Sequence, residues 1–162
     1  MKITITSGTG TGSTLLSAFD DALKNCGVSN YNLIYLSSVI PPSSEIVKDK
    51  YITPQNEYGD RLYVVRAEHR GGMPGEWIGA ALGWYQRKDN GGIFVEYDAV
   101  GKTKQEVESK LRFDVTHSVK DLCRFRNYPC TDGDIHVEME LAKVTDKPTC
   151  VLVLAVYKSE KW

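Results

Sequence analysis

Asn32-Leu33-Ile34-Tyr35-Leu36-Ser37-Ser38-Val39-Ile40-Pro41-Pro42 is a short apolar run that meets two adjacent serines and is then stopped by two prolines. From Asn32 to Ser37 the β-branched and aromatic side chains suit a strand. Proline lacks the backbone N–H and restricts the residue before it, so Pro41-Pro42 ends the strand and stiffens its exit. The serine pair is therefore held where the backbone has little freedom, with a hydroxyl in reach of the preceding carbonyl. Two readings stand side by side: an ordinary polar strand end, or a hydroxyl placed to attack its own chain.

On the N-terminal side, Lys2 to Ser7 alternates Ile3 and Ile5 with Lys and Thr, the pattern of a half-buried strand. Gly8 to Ser13 reads as a flexible loop. Thr14 to Cys26 reads as a helix, with Leu15, Leu16, Phe19, Leu23 and Cys26 on one apolar side and Gly27 as its C-cap. On the C-terminal side, residues 43–59 read as loop with one short turn near Glu45. Arg61 to Ala67 is strand-like, and Gly71-Gly72-Met73-Pro74-Gly75 breaks the chain.

Glu76 to Gln86 is ambiguous, because its alanines favour helix while Trp77, Ile78, Trp84 and Tyr85 favour strand. Asp89-Asn90-Gly91-Gly92 is a turn signal, and Ile93 to Tyr97 is a strand that would pair with the preceding segment as a hairpin. Thr103-Lys104-Gln105-Glu106 is a capping box opening a long helix to about Phe125, with Val107, Leu111, Val115, Val119 and Leu122 toward the core. Ile135 to Leu141 alternates as a strand with one wet face, and Cys150 to Tyr157 reads as a central strand. Two helices and six or seven strands give one α/β domain over 1–162, a largely antiparallel sandwich.

A formal net charge of -1 advertises no basic surface for nucleic acid. No apolar run reaches the roughly 20 residues that span a bilayer, and the alternating N-terminus has no apolar h-region, so no membrane partner is expected and the location reads as cytoplasmic. Cys26, Cys123, Cys130 and Cys150 form no C-x-x-C pair and read as plain buried or half-buried thiols. With His69, His117 and His136 equally scattered, no metal site is expected.

Four features could carry chemistry. Strand, Gly8-x-Gly10-x-Gly12 and helix outline a dinucleotide fingerprint, but Ser13 stands where the third glycine belongs, and no acidic residue closes the second strand. That loop either wraps a small polar ligand or merely connects. Asp20, beside Asp21, is a solvated acid or, lining a cleft, a carboxylate able to grip a planar guanidinium through a bidentate pair. Glu96 ends an apolar strand, pointing to water or into a drier pocket where it could hold and deliver a proton. Around Ser37-Ser38 there is no Gly-x-Ser-x-Gly elbow. Attack by the Ser38 hydroxyl on the Ser37 carbonyl needs no triad: the amide becomes an ester, elimination cuts the chain, and loss of ammonia leaves a pyruvoyl group.

Three stretches together carry a resemblance: Leu15-Leu16-Ser17-Ala18-Phe19-Asp20-Asp21-Ala22-Leu23, Asn32 through Pro42, and Ile93-Phe94-Val95-Glu96-Tyr97. In order and separation they resemble the pyruvoyl-dependent arginine decarboxylases, over nearly the whole chain, the middle stretch being the specific one. The resemblance implies a layered αββα sandwich that cleaves itself between Ser37 and Ser38, giving a short chain 1–37 and a long chain 38–162 that begins with a covalent pyruvoyl group derived from Ser38. It implies that Asn32 assists the cleavage, that Asp20 binds the substrate guanidinium with Leu16 lining the pocket, and that Glu96 is the proton donor. The substrate would be arginine, converted through a Schiff base to agmatine and carbon dioxide, in a homotrimer or hexamer with sites between subunits. Segment 60–90, residues 123–134 and the Gly8–Ser13 loop differ from compact members of the family. If they reach the pocket, a different amino acid could be the substrate; a non-catalytic small-ligand-binding protein on the same scaffold is the other alternative.

Overall fold

A computed structural model describes residues 1–87 and 91–162. In chain order the elements are β1 (Lys2–Thr11), α1 (Leu15–Cys26), β2 (Asn32–Tyr35), β3 (Val39–Ile40), β4 (Glu45–Lys48), β5 (Arg61–Gly71), β6 (Trp77–Arg87), β7 (Gly91–Gly101), α2 (Lys104–Phe125), β8 (His136–Lys143) and β9 (Thr149–Glu160), with 3₁₀ turns at Gln55–Glu57 and Asp132–Asp134. They form one mixed α/β domain of two helices and two sheets. The first sheet has the order β2-β5-β9-β1-β4 and the second β3-β7-β6-β8. β1 with β4 and β2 with β5 pair in parallel; the other pairs are antiparallel.

The ambiguous segment is strand β6, and its small residues have a packing reason. Ile78, Ala80, Leu82 and Trp84 face the first sheet. The alternate positions Gly79, Ala81 and Gly83 lie under α2, where a Cβ on Gly83 would meet Val115 Cγ1 at 2.1 Å. The alanines and glycines are small because a helix rests on them, not because they form one.

The Gly8–Ser13 stretch is corrected in the same way. It is not a loop as far as Thr11, because β1 continues to that residue, paired with β9 from Thr4↔Val156 to Thr11↔Thr149. At Gly10 an added Cβ would lie 2.1 Å from Ala22 N and 2.4 Å from Ala18 O, so the glycine lets the helix backbone settle directly on the strand. The buried face of α1 accordingly consists of Ala18, Ala22, Leu23 and Cys26, while Leu15 and Leu16 are 44% and 69% exposed rather than core-facing.

Other boundaries differ less. The first two strands of the opening stretch are Asn32–Tyr35 and Val39–Ile40, so Ser37 and Ser38 lie between strands. The loop expected over 43–59 contains β4, an edge strand whose two apolar residues, Ile46 and Val47, are too few to show a period in sequence. β6 and β7 form the expected hairpin; Asp89 and Asn90 of its turn signal lie outside the described residues. α1 is capped by Thr14, whose side chain accepts from Ser17 N at 3.1 Å, and ends at Gly27 with φ 83°. α2 is capped by Thr103, but the return bond of the expected capping box goes elsewhere: Glu106 Oε2 accepts from Lys102 N.

Three buried clusters hold these parts together. Ile3, Ile5, Val153 and Ala155 of the first sheet meet Leu82 and Phe94 of the second. Ala18 and Ala22 of α1 meet Leu62, Val64, Leu152 and Leu154. Val107, Leu111, Val115 and Val119 of α2 meet Ala81, Tyr85 and Val95. Three thiols lie in the second and third of these clusters. Burial pushes Cys26, Cys123 and Cys150 up from 9.0 to about 12.

Two outcomes test this packing. Gly10→Val forces α1 off β1, and we expect a loss of about 3 kcal/mol, read as a melting-temperature drop of roughly 6–12 °C. An unchanged melting temperature would contradict the close approach. Unfolding frees each buried thiol to ionise near its ordinary pKa, so above that pH the unfolded chain holds fewer protons than the folded one. Stability therefore falls between pH 9.0 and about 12. Cys150→Ala should flatten that fall in a pH series of melting curves.

Candidate functional site

Between Tyr35 and Val39 the chain leaves the first sheet and enters the second. Leu36 N donates to Val64 O of β5 at 2.9 Å, and Phe94 N of β7 donates to Ser38 O at 2.8 Å. A single residue, Ser37, separates these two anchors. Ser38 makes the turn with φ 63°, in the left-handed region that a non-glycine residue enters at a cost of about 1–3 kcal/mol. The stiff serine pair expected from the sequence is a strained crossing between sheets.

The Ser38 side chain has a definite partner. Its Oγ donates to Glu96 Oε1. Successive strand side chains alternate, so Glu96 shares the face of Phe94, which points into the cluster between the sheets. Glu96 and Ser38 are both half-buried. A hydroxyl held by a carboxylate, next to a peptide bond in strained backbone, is a nucleophile with a proton acceptor already in contact.

Tyr157 closes the far side. It is 9% exposed, and its Oη donates to Val39 O at 2.9 Å. Burial, and then the charge of Glu96, raise the phenol well above its ordinary pKa and keep it a donor. Its ring stands 6.3 Å from that of Phe94, which in turn lies 6.0 Å from Trp84. Beyond Glu96 on the same face of β7, Asp98 Oδ2 pairs with His69 Nδ1 of β5 at 2.7 Å. Sequence reasoning missed Tyr157; its one signal is a polar tip closing the apolar run of β9.

The remaining candidates lie on α1 and at the start of β2. Leu16 and Asp20 are one turn apart on the solvent side of α1, and among the described residues Asp20 makes no ion pair. Beside them Phe19 carries the guanidinium of Arg70 at 4.0 Å, and Glu68 pairs with Arg66 at 2.6 Å and Arg70 at 2.8 Å. Part of the distinctive 60–90 segment thus reaches Phe19 of α1. Asn32 lies at the opposite end of β2 from the serines. Its Nδ2 donates to Gly59 O at 2.6 Å, and three residues of extended chain, about 10 Å, separate Asn32 from Tyr35. The glycine stretch offers no ligand cradle up to Thr11, because α1 covers it.

Known proteins agree with one another. The model of the family "Pyruvoyl-dependent arginine decarboxylase (PvlArgDC)" matches residues 2–161. A pyruvoyl-dependent arginine decarboxylase of Thermococcus kodakarensis is 35% identical over 153 residues, 94% of this chain and 91% of the relative. The protein of that name from Pyrococcus abyssi is 40% identical over 111 residues, 67% of this chain and 68% of the relative. That from Methanocaldococcus jannaschii is 36% identical over 113 residues, 68% of this chain and 65% of the relative. With nearly every residue from β1 to β9 inside the matched span, this chain belongs to the pyruvoyl-dependent arginine decarboxylase family.

Proposed function

We propose that the chain is a self-processing enzyme that decarboxylates arginine to agmatine with a pyruvoyl group made from its own Ser38. The observation that carries this reading is the Ser38–Glu96 hydrogen bond at a residue of positive φ, in a chain of this family. The residues present fit the group. Ser38 supplies the hydroxyl, Glu96 holds it, and Phe94 N–H holds the carbonyl on the other side.

The proposed cut follows from those contacts. Glu96 takes the Ser38 hydroxyl proton as Oγ bonds to the Ser37 carbonyl carbon. The Ser37–Ser38 C–N bond then breaks, the nitrogen takes a proton, and an ester replaces the amide. Relief of the left-handed φ favours this shift. Loss of the Ser38 α-proton expels the Ser37 carboxylate, water adds at the α-carbon, and ammonia leaves. The products are 1–37 and 38–162, in a four-layer αββα sandwich.

When formed, the pyruvoyl group supplies the electron sink for releasing carbon dioxide. The chain's own groups do the rest. Glu96 is the proton donor to the carbon that lost carbon dioxide. Asp20 pairs with the substrate guanidinium and Leu16 covers its alkyl stem. The exposure of Leu16 and Asp20 on the solvent side of α1 supports a homotrimer or hexamer in which a neighbouring copy completes each pocket. Asn32 aids the cut through the register of β2, which it fixes to the Gly59 carbonyl. Among the described residues no helix is long and apolar enough to cross a membrane; a cytoplasmic enzyme is the reading proposed.

Mass spectrometry and denaturing gels test the processing. The wild-type chain should give two fragments that meet at Ser37-Ser38, the larger lacking an α-amine, and Ser38→Ala should stay whole. A persistently whole wild-type chain would sink the reading. Carbon dioxide release from arginine tests the roles. Glu96→Gln should lower kcat about 100-fold. Asp20→Asn should raise KM for arginine roughly 10- to 100-fold through loss of a charge-assisted pair; unchanged arginine turnover would refute the guanidinium assignment.

A further inference from the structure

The backbone around Ser38 is anchored from the first sheet as well as the second, and one anchor is Tyr157, beside an irregularity in strand pairing. Along β5 and β9, Tyr63 lies opposite Lys158 and Val64 opposite Val156. Tyr157 is left without a partner between them: it is the extra residue of a β-bulge. Bulges collect beside functional sites. Tyr157 keeps the inward face it shares with Val153 and Ala155, and from there its side chain crosses to the start of β3, where its Oη donates to Val39 O at 2.9 Å.

That bond completes a set. Leu36 is tied to β5, Ser38 O is held by Phe94 N, and Val39 O is held by Tyr157. In the ladder, Val39 and Ile40 pair with Ile93 and Gly92. A strained φ persists only where its surroundings over-determine it. The two peptide units that follow Ser38 are each held, by Phe94 N–H at the Ser38 carbonyl and by Tyr157 at the Val39 carbonyl. Ser38 is then left with little room except the left-handed turn that presents Oγ to Glu96.

We propose that Tyr157 is a positioning residue for self-cleavage: its hydrogen bond to the Val39 carbonyl holds Ser38 in the strained conformation from which its hydroxyl attacks. This rests on the processing reading above. The rearrangement gains nothing from Tyr157 chemically, since the phenol neither gives nor takes a proton in it. What Tyr157 contributes is the share of molecules in the attacking geometry.

The test follows the time course of cutting in freshly folded chain on denaturing gels, together with melting temperature. Tyr157→Phe removes one oxygen and should slow cleavage about tenfold while the melting temperature shifts by only a few degrees, roughly 2–4 °C. Val153→Ala, a core change on the same strand away from the cut, serves as the structural control. It should lower the melting temperature at least as much and leave the cleavage rate unchanged. If Tyr157→Phe does not fold, Tyr157→Gln is compared with Tyr157→Leu. The amide can donate to Val39 O and the isobutyl group cannot, so the glutamine variant should cut faster. Cleavage of Tyr157→Phe at the wild-type rate overturns the inference, as does equal slowing by Val153→Ala or equal rates for the glutamine and leucine variants. A wild-type chain that never cuts overturns the processing reading, and this inference with it; one that cuts while Tyr157→Phe keeps pace overturns the inference alone.

Discussion

The backbone between Leu36 and Ser38 is bound to two sheets at once. Leu36 N belongs to the ladder of the first sheet and Ser38 O to that of the second, with one residue between them. Everything at the site depends on that constraint. The span is too short for a relaxed loop, so Ser38 takes a left-handed φ of 63°. The same turn brings its hydroxyl to Glu96. The strain and the Ser38–Glu96 contact are thus two results of one short connection, and the close packing of the sheets around Leu82 and Phe94 keeps the gap from widening.

Much of this is legible in the sequence alone. Pro41-Pro42 after a β-branched run predicts a stiff strand end. The Gly27 cap and the α2 periodicity place both helices, and Gly91-Gly92 before an apolar run predicts the β6–β7 hairpin. What stays hidden is what rests on small residues. Gly8 and Gly10 in β1, and Gly79, Ala81 and Gly83 in β6, look like loop or helix because a side-chain pattern records only the side chains present. Their meaning lies in the helix backbone or side chain that fills the space. Leu15 and Leu16 mislead for the complementary reason: apolar spacing marks an apolar face without saying whether the chain's own core covers it, and here it does not.

The candidate site divides along the same line. Ser38 and Glu96 stand out separately in the sequence, and the fold brings them into contact. Asp20, Leu16 and Asn32 are matched by resemblance alone, the first two on α1 and Asn32 at the far end of β2 from the serines. Tyr157 faces inward as the alternation of β9 places it, with Val151, Val153 and Ala155. What no sequence pattern carries is that the Val39 carbonyl at the start of β3 lies within reach of its hydroxyl.

The position of β1 has a consequence for the life history of the protein. β1 lies inside the first sheet, between β9 and β4, and both neighbours follow Ser38 in the chain. A cut at Ser37-Ser38 therefore releases nothing: the short piece remains woven into the sheet by its ladders and by α1. The topology itself, however, is written into the uncut chain. Once two pieces exist, unfolding separates them, and reassembly becomes a concentration-dependent meeting of two molecules. A chain cut there would be a kinetically trapped product, because the cut itself would remove its route back to the fold.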